Sequence, residues 1–149
     1  VREALERFLE ELGSQRRASV HTIAAYRRDI EYVLNRIAPA GRPVPPDAWS
    51  AERLLSVQRE LVVRRKLANS SVARSLAAWR SFSRFCVRRG ILERDPSAGL
   101  PFPRQPRRLP RTLDAALLSH ALDAIAGDDA APRDRALLEL AYSCGLRLS

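Results

Sequence analysis

Apolar side chains recur at helical spacing in four successive stretches of the chain. Leu5, Phe8, Leu9 and Leu12 share one face of a predicted helix over Arg2–Leu12, with Gly13 as its stop. Ser19 is placed to cap a longer helix reaching about Ala38. Its Val20, Ile23, Tyr26, Ile30, Val33, Leu34 and Ile37 fall within one stripe at about 100° per residue, while His21 and Arg28 point the other way. Pro39, Pro43, Pro45 and Pro46, with Gly41, mark a loop. A third helix follows Ser50 to about Leu67, carried by Leu54, Leu55, Val57, Leu61 and Val62. Asn69 and Ser70 are cap residues for a fourth, Ser71 to Arg89, closed by Gly90. In it Val72, Leu76, Trp79, Phe82 and Cys86 form the apolar stripe, opposed by Ser70, Arg74, Ser81, Arg84 and Arg88; Phe85, near the polar face, breaks the pattern. With no strand signal, residues 1–94 are predicted to form an all-α, four-helix bundle.

Residues 95–112 differ in kind. Asp95 to Arg111 holds Pro96, Pro101, Pro103, Pro106 and Pro110 together with Arg104, Arg107, Arg108 and Arg111, a density of proline that predicts an extended, semi-rigid connector. Two further helical patterns follow in residues 113–149. Leu113, Leu117, Ala121, Leu122 and Ile125 mark the first, ended by Gly127. Pro132 opens the second, whose Leu137, Leu138, Ala141 and Tyr142 carry an apolar face up to Gly145. Two helices are too few for an independent core. The expectation is therefore a whole first domain, a connector, and the first two helices of a truncated second domain.

Charge is divided unevenly. The 149 residues carry a net charge of +9, but residues 1–112 have 23 Lys+Arg against 11 Asp+Glu, and residues 113–149 have 3 against 6. Nearly all of the basic excess is arginine, Lys66 being the single lysine. Arginine is planar, always charged, and able to hold a phosphate by two parallel hydrogen bonds, so a helical module this basic points to nucleic acid. An arginine-rich coat kept only for solubility is the plainer alternative. Other classes fall away. No apolar run approaches the ~18–20 residues that span a bilayer, and Val1 onward lacks the order of a signal peptide. Cys86 and Cys144 are far apart, which argues against a disulfide framework and for a reducing, cytoplasmic setting. Two cysteines and two histidines, His21 and His120, are too scattered for a zinc site, and no glycine-rich nucleotide-binding turn is present.

Several segments together carry a family likeness. Ser19, Thr22, Ala25, Tyr26 and Asp29 match the "S-x-x-T-x-x-A-Y-x-x-D" helix of tyrosine recombinases of the Xer and phage-integrase type. Ser71, Arg74, Leu76, Ala78, Arg80 and Phe82 resemble their "S-x-x-R-x-L-x-A-x-R-x-F" helix. Asp95 and Pro96 stand where the family usually has Asn-Pro; Pro103 with Arg104, and Leu109 through Arg111, match its linker. Arg133 through Ser149 is similar to "R-D-R-A-L-L-x-L-x-Y-x-T-G-L-R-x-S-E", with Cys144 in place of the frequent Thr; Trp79 stands where Leu is frequent.

The resemblance implies a SAM-like core-binding domain that grips one side of duplex DNA, followed by the entry to a catalytic domain. It implies cleavage and rejoining through a 3′-phosphotyrosine, with no metal and no nucleotide or other small-molecule cofactor, by a recombinase tetramer. Of the family's catalytic set only the first arginine maps here, onto Arg147; the tyrosine nucleophile does not, and Tyr26 and Tyr142 match core positions. DNA-facing candidates are His21, Thr22 and Arg28 on the second helix and Ser70, Ser71, Arg74, Arg80, Ser81, Arg84 and Arg88 on the fourth. Arg104, Arg107 and Arg108 join them from the connector. Arg80 lies on the flank of its helix, where it can equally brace the domain. Two rival readings remain at this level: a non-catalytic DNA-binding module, such as a repressor or architectural domain, and a helical domain that recruits an acidic partner.

Overall fold

A computed structural model describes residues 1–14, 17–104, 114–125 and 131–145, and all regular structure among them is helical. Helices α1 (Arg2–Ser14), α2 (Val20–Ile37), α3 (Ala51–Val63) and α4 (Asn69–Arg88) lie in one unit, Val1–Pro106; α5 (Ala115–Asp123) and α6 (Ala131–Cys144) lie in a second, Arg107–Ser149.

The core of the first unit is aromatic at its centre. Phe8 of α1 meets Phe82 edge-on at 5.4 Å between ring centroids and Phe85 at 5.5 Å; Trp49 meets Phe82 edge-on at 5.2 Å. Ile30, Val33 and Leu34 of α2, Leu54 of α3, and Val72, Leu76 and Trp79 of α4 complete it, all fully buried. α4 is the central helix. Its apolar surface is wider than one stripe because it serves α1, α2 and α3 at once, and this accounts for Phe85: it is buried against α1. Val44 and Trp49, from the proline-rich loop, also reach the core. The indole N–H of Trp49 donates to Ser83 Oγ at 2.9 Å, so its one polar atom is satisfied inside.

The helix ends depart from the expected ones in instructive ways. Gly13 does not stop α1, which runs on to Ser14. A Cβ there would sit 3.3 Å from Ile23 Cδ1, so the glycine permits close approach to α2. Ser19 caps α2 as expected, accepting from the Thr22 amide at 3.2 Å. The carbonyls at the far end of α2 meet Arg2: Nη2 donates to Leu34 O at 3.4 Å and Ala38 O at 3.1 Å, and Nε to Arg42 O at 3.1 Å. α3 ends at Val63, short of Leu67, and the chain turns through Lys66 in the left-handed region (φ 48°). Nor is α4 capped by Asn69 or Ser70. It begins at Asn69 behind Ala68, whose carbonyl accepts from the amides of Ser71 and Val72, because the Asn69 side chain is engaged elsewhere.

In the second unit Asp114 caps α5 by accepting from the Ala116 amide at 2.8 Å, and Arg135 of α6 bonds Glu139 at 2.9 Å and approaches Asp123 at 3.5 Å. No described residue there is buried, and Tyr142, matched to a core position by sequence, is 56% exposed. The described residues of this unit supply two helices, too few to enclose a core of their own.

Candidate nucleic-acid interface

The polar face of α4 follows from its spacing: Ser70, Arg74, Ser81, Arg84 and Arg88 are separated by one turn or, between Arg74 and Ser81, two turns of helix, opposite the buried Leu76, Trp79 and Phe82. What the spacing does not reveal is that each of these arginines already has a partner within the first unit.

Arg74 grips Asp29 of α2 with two nitrogens, Nε to Oδ2 at 3.0 Å and Nη2 to Oδ1 at 3.4 Å. Asp29 is buried, whereas the Arg74 side chain is 44% exposed, so one edge of the guanidinium still faces solvent. The Trp79 indole donates to the Asp29 carbonyl at 2.9 Å and ties the same two helices together. Arg84, 69% exposed, stands 3.8 Å from Asp95. Arg88 and its neighbour Arg89 hold opposite oxygens of Glu11 on α1, at 2.9 and 2.8 Å. The hydrogen bond from Arg89 is the chief reason that the Glu11 carboxyl is held below its ordinary range; it outweighs the opposing desolvation, and Arg88 adds to it.

Arg80 differs from these three. It donates from Nε to Ser97 O at 3.3 Å and from Nη2 to Leu100 O at 3.0 Å, while its guanidinium lies over the Phe102 ring at 4.3 Å from the centroid. Arg80, Ser81, Arg84, Arg88, Ala77 and Phe102 line a shallow cleft of about 390 Å³. With Arg80 turned to the chain, the guanidinium groups of Arg84 and Arg88 and the Ser81 hydroxyl around this concavity form a chemistry suited to an anion, and for a backbone phosphate the groups are of the right kind.

On α2, His21 and Arg28 are exposed and Thr22 is half-buried, its Oγ1 sharing a 2.9 Å hydrogen bond with Ser19 Oγ. At the start of α4 Ser70 is exposed and Ser71 half-buried. Arg104 is exposed, and its carbonyl accepts from Asn69 Nδ2 at 3.0 Å. Arg107, Arg108 and Arg147 lie outside the described residues. Sequence reasoning missed the acidic partners Glu11, Asp29 and Asp95. The one usable signal was the family's aspartate in the second helix, here Asp29. Among the described residues no group of three or more His, Cys, Asp and Glu side chains is arranged to hold a metal ion, and no helix is long and apolar enough to cross a membrane.

Comparison with known proteins bears on both units. The family described as Phage integrase, N-terminal SAM-like domain, matches residues 5–90. The chain is similar to the tyrosine recombinase XerC of Azotobacter vinelandii, 44% identical over 149 residues that cover 97% of this chain and 48% of that protein. It is similar to the tyrosine recombinase XerC of Pseudomonas aeruginosa PAO1, at 42% over 153 residues, 100% of this chain and 49% of that protein. The corresponding protein of Chromobacterium violaceum is 41% identical over 149 residues, 99% of this chain and 48% of its own length. The chain thus spans about half the length of the curated relatives it matches. No solved structure matches it.

Proposed function

The chain belongs to the phage-integrase family through its N-terminal SAM-like domain, and on that premise we propose that it is the DNA-gripping portion of a site-specific tyrosine recombinase of the Xer type. The first unit binds duplex DNA by the polar faces of α2 and α4 and by the connector arginines. The segment after Arg133 supplies the first catalytic arginine, Arg147.

In the whole enzyme a tyrosine hydroxyl attacks a backbone phosphate, forming a 3′-phosphotyrosine and releasing a 5′-hydroxyl. A 5′-hydroxyl of the exchanging strand then attacks that link and frees the tyrosine. The phosphodiester energy is kept in the covalent intermediate, so rejoining needs no nucleotide. The attacked phosphate gains negative charge in the transition state, and a guanidinium fork from Arg147 stabilises that charge more than the ground state. Recombinase tetramers on DNA, in the cytoplasm, are the corresponding assembly.

The observation that carries this reading is the extent of the likeness. It covers 97% of the chain in one alignment and so continues well past the SAM-like segment ending at residue 90. A repressor or architectural module accounts for the basic first unit but leaves the similarity beyond residue 90 without a cause. The test has two arms. Titrated into a fluorescein-labelled duplex, the chain is expected to bind with log K falling by about 0.9 per phosphate contact for each unit of log[salt]; no binding at low salt overturns the DNA reading. Joined to the second half of the Azotobacter vinelandii relative, the chain is expected to form a covalent adduct with a nicked cognate site, and Arg147→Ala to abolish it. An undiminished adduct removes Arg147 from catalysis.

A further inference from the structure

The stretch after α4 is held to the bundle far more closely than its prolines predict. Asp95 approaches Arg84 at 3.8 Å and accepts the Ser97 amide at 2.9 Å, making a tight turn over Pro96–Gly99. Ser97 and Leu100 are buried. Gln58 of α3 donates to the Pro101 carbonyl at 2.6 Å, and its own Oε1 is the one buried side-chain oxygen or nitrogen without a partner among the described residues. Asn69 holds the Arg104 carbonyl at 3.0 Å. The partners on α4 therefore regress as the chain advances: Arg84 for Asp95, Arg80 for residues 97–102, Asn69 for Arg104. The segment runs back along α4 to that helix's first residue, with Gln58 of α3 holding it from the neighbouring helix.

From α4, Arg80 serves the middle of this path, beside Gln58 from α3. It gives hydrogen bonds to three carbonyls, those of Ser97, Ala98 and Leu100, and a flat cationic face to Phe102, a combination open to a planar guanidinium and closed to an ammonium. We propose that Arg80 is a positioning residue: it fastens residues 95–104 to α4, so that Arg104 is presented beside Ser70 and Ser71 at the start of α4 as part of the DNA-binding unit. This rests on the DNA-binding reading above. The segment is thereby ordered before DNA arrives, and the entropy of ordering it is removed from the cost of binding.

Hydrogen exchange and DNA affinity test this on the chain itself, with Arg80→Ala, Arg80→Lys and Phe102→Ala. Arg80→Ala and Arg80→Lys are both expected to speed amide exchange in residues 97–104 while leaving α1–α3 protected. Both are expected to weaken binding to a random-sequence labelled duplex by about five- to tenfold. Phe102→Ala, which removes no charge, shifts both readouts in the same direction and decides the matter if Arg80→Ala unfolds the bundle. Should Arg80→Lys retain wild-type affinity, or residues 97–104 stay protected in Arg80→Ala, Arg80 is a phosphate contact or a bystander and the proposal is overturned. If the unmutated chain fails to bind duplex, it is the DNA reading that falls, and the exchange measurement still decides whether Arg80 holds the segment.

Discussion

Arg74 and Asp29 are joined by two hydrogen bonds across α4 and α2, so an arginine proposed to contact DNA is also a strut of the bundle. Its two roles separate by substitution. Arg74→Ala leaves a buried carboxylate without its counter-charge and is expected to cost about 1–3 kcal/mol, moderated because the arginine side is half in water. It is also expected to flatten the salt dependence of DNA binding by about 0.9. Asp29→Ala is expected to lose stability but keep the salt slope, because the freed guanidinium remains available. Equal slopes for the wild type and Arg74→Ala would confine Arg74 to the structural role.

Ser83→Ala tests the aromatic centre. The hydroxyl accepts the Trp49 indole N–H in a dry environment. Its removal orphans that donor, an expected loss of about 1–3 kcal/mol in urea unfolding with little change in the m-value. A loss indistinguishable from zero would mean that water reaches the site.

Acid should loosen the seams that α1 makes with α4 and with α2 in a defined direction. Glu11 is held low chiefly by the Arg89 hydrogen bond, and Glu6 chiefly by that from Arg27, each outweighing desolvation. A carboxyl whose folded value is depressed adds stability above its unfolded value near 4.5, and that contribution is lost as pH falls through the folded value. Thermal melts between about pH 3 and 7 are therefore expected to steepen below about pH 4.5, and Glu11→Gln to lose part of that steepening. An identical pH profile for Glu11→Gln would exclude the clamp as a source of acid sensitivity.

The two cysteines are expected to report on the two units separately. Burial pushes the Cys86 thiol up to about 12, and its side chain lies in the core; Cys144 is exposed on α6. A thiol-reactive disulfide reagent near pH 8 should label Cys144 at once and Cys86 only as the bundle opens. Prompt labelling of both would contradict the packing of α4 against its neighbours.

The bundle was legible from the sequence because its signals are local. Leu5, Phe8 and Leu12, or Ile30, Val33 and Leu34, announce a helix face within a few positions, and Ser19 announces its cap. Phe85 was not legible, since its burial depends on where α1 lies. Val44 and Trp49 were hidden in a loop whose prolines advertise exposure. Asn69 reads as a cap until the carbonyl of Arg104 arrives to claim its amide. The pairing of the interface arginines was least visible of all: Asp29 lies 45 residues from Arg74, and Glu11 77 residues from Arg88, so no periodicity connects them. The family motifs located the helices that carry the candidate residues and left their partners to the tertiary structure.

Glu11, shared between two neighbouring guanidinium groups, has a further effect on how such a surface meets a polyanion. Under the proposed DNA-binding role, a phosphate that took the Arg88 nitrogen now held by Glu11 would displace a resident carboxylate, and contact there would be an exchange of one anion for another. Random stretches of duplex, offering only loose encounters, gain little from that exchange, while a tightly fitted site gains from every contact that follows. On that proposed role, Glu11 would act as a built-in competitor, trimming idle adhesion to the bulk of a genome.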